Sequence, residues 1–285
     1  MAAWGLWGLT VGVVFATYAR LQPAELYHVS REGLAGGLSR GLVLLNFPVA
    51  LVSIALVLVA VAALPRRAWW VAGTAIALSA AVAWPGVVDQ DDLDVRWINA
   101  IPALGVLLGL VLTAWAAQRA GSSFAPWGSG DRARLVVAVL VIALSLPWVA
   151  AELGFHLPGD LFLGEEPYRE EDGTVLAAVH LGHHHGTDGA LLLLTALLLS
   201  RARVAGGGLR HVFAAYVALM LAYGTVNFTQ DLWHEQVVKR GWTSWDIPSA
   251  LVPRASWSWA VVLAGAALLY AVGFARSDED GAQRR

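Results

Sequence analysis

The sequence predicts an all-α, polytopic membrane bundle of about eight transmembrane helices with both termini cytoplasmic, and three observations carry that prediction. Apolar residues make up 58% of the chain and charged ones 14%, and the apolar residues arrive in long blocks instead of at core-forming intervals. Charged residues sort to alternate ends of those blocks. Tryptophans gather near the same ends.

A hydrocarbon core of roughly 30 Å takes about 20 mostly apolar residues per helix, with roughly 17 as the lower end. The blocks that meet or approach this lie near 4–19, 41–64, 68–84, 101–117, 135–151, 181–200, 212–226 and 257–274. The first, within "MAAWGLWGLTVGVV", lacks the basic n-region of a secretory signal and reads as a retained helix. Asn46 and Pro48 in the second and Pro147 in the fifth mark kinks or internal hydrogen bonds. The sixth is short of apolar residues: Gly189 to Ser200 cannot span alone, and Arg201 fixes its inner end. About 20 residues back from there reaches Leu181, and the absence of proline predicts one helix running from a cap at Asp172 or Thr174. No soluble domain is left over, so residues 1–285 read as a single integral membrane domain.

Arg66, Arg67, Arg119, Arg132, Arg134, Arg201, Arg203, Arg210, Arg276, Arg284 and Arg285 flank one set of block ends. Only Asp131, Asp278, Glu279 and Asp280 accompany them, so that face is cytoplasmic by the positive-inside rule. The fourteen tryptophans form the expected aromatic belts at the two interfaces. No cysteine is present, which excludes disulfides, thiolate metal sites and cysteine nucleophiles. The dominance of Ala, Val, Leu and Arg points to a GC-rich bacterial genome and hence a bacterial plasma membrane. "NAIPAL" (99–104) and "DIPSAL" (246–251), before the fourth and eighth spans, raise a parallel duplication of two four-span halves.

The chemistry gathers in the longer outer loops, and above all in "HLGHHHGTDG", His180 to Gly189. On a helix advancing roughly 100° per residue, His180, His183, His184 and Asp188 fall within an arc of about 140°, while His185 points away. Imidazoles one turn apart with a carboxylate on the next turn make a mixed N/O ligand set. Ionisable residues inside a bilayer are expensive and by default functional. The null alternative is a frayed, interfacial helix end. His180, His183 and His184 also spell H-x-x-H-H, which resembles one histidine box of the membrane di-iron desaturases and hydroxylases. That resemblance covers five residues and implies iron; the family carries several boxes on the cytoplasmic side, whereas the one box here is predicted outside.

His156, after the fifth span, and His234, after the seventh, are placed to complete such a site. Asp231 and Glu235 beside His234 are the candidate catalytic base or outer-shell groups. "HEQVV" lacks the second histidine of the H-E-x-x-H metalloprotease motif. "DQDDLD", Asp89 to Asp94, could hold a divalent cation but reads better as an acidic, solvated turn. The sequence therefore predicts a zinc- or iron-dependent membrane hydrolase or oxidase acting at the outer face on a lipid or lipid-linked small molecule. A transporter or metal/proton carrier, and a non-catalytic structural or assembly protein, are the alternatives. No basic patch suits nucleic acid.

Overall fold

The computed structural model describes residues 1–18, 29–31, 33–89, 92–120, 127–128, 130–152, 168–169, 175–176, 184–202, 204, 207–238, 240–250 and 253–275. Among them form α1 (Ala2–Tyr18), α2 (Gly33–Val61), α3 (Ala68–Ala80), α4 (Ala100–Ala120), α5 (Asp131–Glu152), α6 (His184–Leu199), α7 (Gly207–Trp233) and α8 (Trp257–Tyr270). Each helix falls on one apolar block, in order. By length and composition, Trp97–Ala120, Gly207–Val238 and Trp257–Phe274 can cross a membrane, and α2 makes a fourth if its bent halves are one span. The apolar segments Ala2–Ala16, Ala68–Ala83 and Gly186–Leu199 are shorter.

The predicted helix from Thr174 is not formed. Val175–Leu176 is a strand (β2) paired antiparallel with Tyr168–Arg169 (β1), and the described part of α6 begins at His184. The two stretches that raise a duplication differ in conformation. Residues 99–104 enter α4 as helix, whereas 246–250 are irregular chain ahead of α8.

The centre of the bundle is α2, which contacts α1, α3, α4, α6 and α7. Its halves, Gly33–Val43 and Leu45–Val61, are bent by 44°. Pro48 explains the bend, because a proline ring collides with the carbonyl four residues back, here that of Leu44. Small residues let α2, α3 and α4 approach closely: Gly105 lies against Ser79, Gly109 against Ser53, and Ser79 Oγ donates to Ser53 Oγ at 3.4 Å. Such surfaces are how helices associate where lipid offers no hydrophobic drive. The outward faces are apolar instead, with Leu104, Leu107 and Val111 on α4, Val136, Leu140 and Ile142 on α5, and Val261, Leu263 and Leu268 on α8 all exposed.

Not every tryptophan lies in a belt. The Trp7 indole is wholly buried and its N–H donates to Thr195 Oγ1 of α6 at 2.8 Å. Trp4 donates to Thr113 Oγ1 of α4 at 2.7 Å. Trp69, Trp70, Trp84, Trp97, Trp127, Trp242, Trp245 and Trp257 do stand exposed. An indole N–H needs a partner, and a buried threonine supplies one as well as a headgroup does.

The loop between α3 and α4 closes over the N-terminal end of α2. Asn99 is fully buried: its Nδ2 donates to the Val87 carbonyl, its Oδ1 accepts from Arg96 N at 2.8 Å, and its own carbonyl accepts from Asn46 Nδ2 at 3.1 Å. Ser39 Oγ donates to Leu93 O at 2.8 Å and accepts from Val95 N at 2.7 Å, seating the buried Leu93 side chain. Asp94 accepts from Ser30 N at 3.1 Å, and Asp89 lies 3.9 Å from Arg96. The acidic turn is thus tied into the fold.

At the opposite end, Asp131 joins the start of α5 to the end of α6. It accepts from Gly128 N at 2.8 Å, and its other oxygen lies 3.1 Å from both Arg134 and Arg201. The carboxylate is covered by these partners while lying at the rim of the fold. The Gly128 N–H and the two guanidinium charges hold its carboxyl below the usual 3.8, against a smaller opposing effect of desolvation. A depressed carboxyl contributes stability that is complete above the unfolded value and lost as pH falls through the folded one. Thermal melts in detergent from pH 7 to pH 3 should therefore show an acid-side loss below about pH 4 that is smaller in Asp131→Asn. Parallel profiles would mean that the ties at Asp131 do not contribute.

Candidate functional site

Residues four apart on a helix lie one above another, and α7 carries Tyr223, Asn227, Asp231 and Glu235 at that spacing, all buried. The last turn, His234–Val238, is a π-turn, a widening frequent at functional sites, and a second one, Ala271–Ala275, ends α8. The first keeps Glu235 close to one full revolution after Asp231. Facing this stripe across the bundle is the N-terminal end of α6. The two helices meet backbone to backbone, since a Cβ on Gly189 would lie 2.7 Å from Phe228 N and one on Gly224 would lie 3.1 Å from the Gly189 carbonyl. That contact sets Asp188 within electrostatic reach of Tyr223. The position also suits a carboxylate, being in the early turns of α6 where the helix dipole favours negative charge.

The Tyr223 ring is bracketed by two further helices. Phe47 of α2 meets it edge-on with centroids 6.1 Å apart, and Trp259 of α8 lies over it at 5.4 Å with 30° between planes. The Asn227 amide donates to the Tyr223 hydroxyl. Arg40, in the first half of α2 ahead of the bend, is fully buried and engaged in polar contact.

Of the residues singled out from sequence, Asp188, Asp231 and Glu235 stand at this end of the bundle, and each is engaged in polar or electrostatic contact. His234 is adjacent but turned toward the loop before α8, where its Nδ1 lies 3.2 Å from Asp246 Oδ2. Trp233 holds the same loop, donating to the Trp245 carbonyl at 2.9 Å. His184 opens α6, with its side chain outside the described residues. His156, His180 and His183 lie outside them altogether. Among the described residues no three His, Asp or Glu side chains come close enough to hold a metal ion. The described carboxylates and His234 do not form a metal set by themselves.

Sequence reasoning missed Tyr223, Asn227, Trp259 and Arg40. The first two were recoverable, because the i, i+4 stripe from Asp231 and Glu235 continues through them into an apolar block. Arg40 fell just outside the block drawn from Gly41, although α2 begins eight residues before it, at Gly33. Comparison with known proteins finds no match for this chain among family models, curated proteins or solved structures.

Proposed function

We propose that the chain is an eight-span integral membrane protein, both termini cytoplasmic, whose outer end carries metal-dependent chemistry on a lipid or lipid-linked substrate. One observation supports this most: among the described residues, the buried Arg, Asp and Glu side chains lie toward the ends of their helices. Arg40 lies in the first half of α2, Asp231 and Glu235 lie at the end of α7 with Asp188 early in α6, and Asp131 lies at the opposite end, beside Arg201. Inward from Tyr223, α7 offers Met220, Val217 and Tyr216, the last donating to the Leu51 carbonyl at 2.9 Å. A transport path needs polar or ionisable groups across the middle. A site reached from one side does not, which favours catalysis over carriage.

In this reading His180, His183 and His184, four to eight residues ahead of Asp188 in the sequence, supply the nitrogen ligands with His156 or His234. Asp231 and Glu235 serve as base or hold the ligands in orientation. Zinc there would lower the pKa of a bound water for hydrolysis, and iron would support oxidation. Elemental analysis of tag-free, detergent-purified protein tests the proposal. Wild type should hold stoichiometric zinc or iron, and the His183→Ala/His184→Ala variant should lose it. Metal-free wild type, or equal metal in both, would overturn it.

A further inference from the structure

We propose that the step formed by Phe47, Tyr223 and Trp259 recognises the hydroxyl group of an alcohol carried on an apolar chain. Asn227 uses its amide N–H on Tyr223, and its Oδ1 is buried with no hydrogen-bond partner among the described residues. The Trp259 indole N–H is buried and lacks a partner in the same way. Among the described residues an unmatched acceptor and an unmatched donor thus belong to side chains that both touch one phenol, although native structures leave few such groups unpaired. A hydroxyl donates and accepts through a single oxygen and answers both. A carboxylate has no proton for Asn227, and an ammonium has no lone pair for Trp259.

The position selects the rest of the ligand. Trp259 lies in the first turn of α8, whose neighbours Trp257, Val261 and Leu263 are exposed on an apolar face. The notch inferred between these groups would be reached sideways from that face, by a molecule whose body is apolar and whose polar group is neutral. The inference rests on reading α8 as a membrane-facing helix and not on the metal.

The test titrates the full chain in detergent with 1-dodecanol and, in parallel, dodecane, following the thermal midpoint. Wild type and the exposed-site control Trp242→Phe should respond saturably to dodecanol and not to dodecane. Trp259→Phe keeps the ring contact but loses the N–H, and should bind dodecanol about fivefold more weakly, the worth of one neutral hydrogen bond. Asn227→Leu should do the same. Equal responses to alcohol and alkane in wild type, the result expected if water alone fills the notch, would overturn the proposal. So would unchanged affinity in both variants. Metal content measured on the same samples separates the two readings, since metal-bearing protein indifferent to dodecanol sinks only this one.

Discussion

Asn99→Leu should destabilise the protein by about 3 kcal/mol, because it removes a buried amide that satisfies two backbone groups at once. The Val87 carbonyl loses its donor and Arg96 N loses its acceptor. Leucine has nearly the shape of asparagine, so the cost is polar and not steric. The expected result is a matching fall in denaturation free energy in detergent, with faster proteolysis of the segment around 85–99. A change below about 0.5 kcal/mol, the scatter of ordinary surface substitutions, would show that the loop does not depend on this residue.

Gly189→Leu should cost as much or more, and should carry function with it. Its Cβ would meet the Phe228 backbone, which cannot swing aside as a side chain can, so α6 and α7 must separate. Overpacking of this kind costs about 1–3 kcal/mol and sometimes more. Separation also draws Asp188 away from Tyr223, so bound metal should fall with stability if the proposed site is right. Gly73→Ala on α3 is the control, since a Cβ there meets nothing within 4 Å. It should be neutral or stabilising by up to about 1 kcal/mol through helix propensity alone. Equal behaviour of the two variants would remove the crossing from the account of the site.

The helices were readable because apolar blocks of the right length have few other uses, and each block became a helix. The start of α6 was not. Thr174 to His183 contains no proline, which licensed a helix, yet Val175 and Leu176 find strand partners eight residues upstream in Leu176's case and six in Val175's. Such pairing is tertiary and leaves no periodic mark in so short a stretch. Tryptophan position misled in a different way, because the same amphipathic indole suits a headgroup region or a buried threonine hydroxyl. Pro48 was read correctly as a kink, since its clash is local. The carboxylates of the candidate site were visible as costly residues near a span. Tyr223 and Asn227 were legible only by continuing the i, i+4 stripe of α7 inward, and Trp259 is unremarkable until α8 packs its ring against Tyr223.

The indoles of α1 also bear on how the chain is made. Trp4 finds its acceptor 109 residues later in the sequence and Trp7 finds its own 188 residues later. Domains form from the N-terminus forward during synthesis, so α1 emerges first and both donors must wait. Trp4 is answered when α4 arrives, and Trp7 only when α6 does. The first helix is thus a bolt that two later arrivals shoot home in turn, and assembly cannot be complete until the segment bearing the histidines has joined.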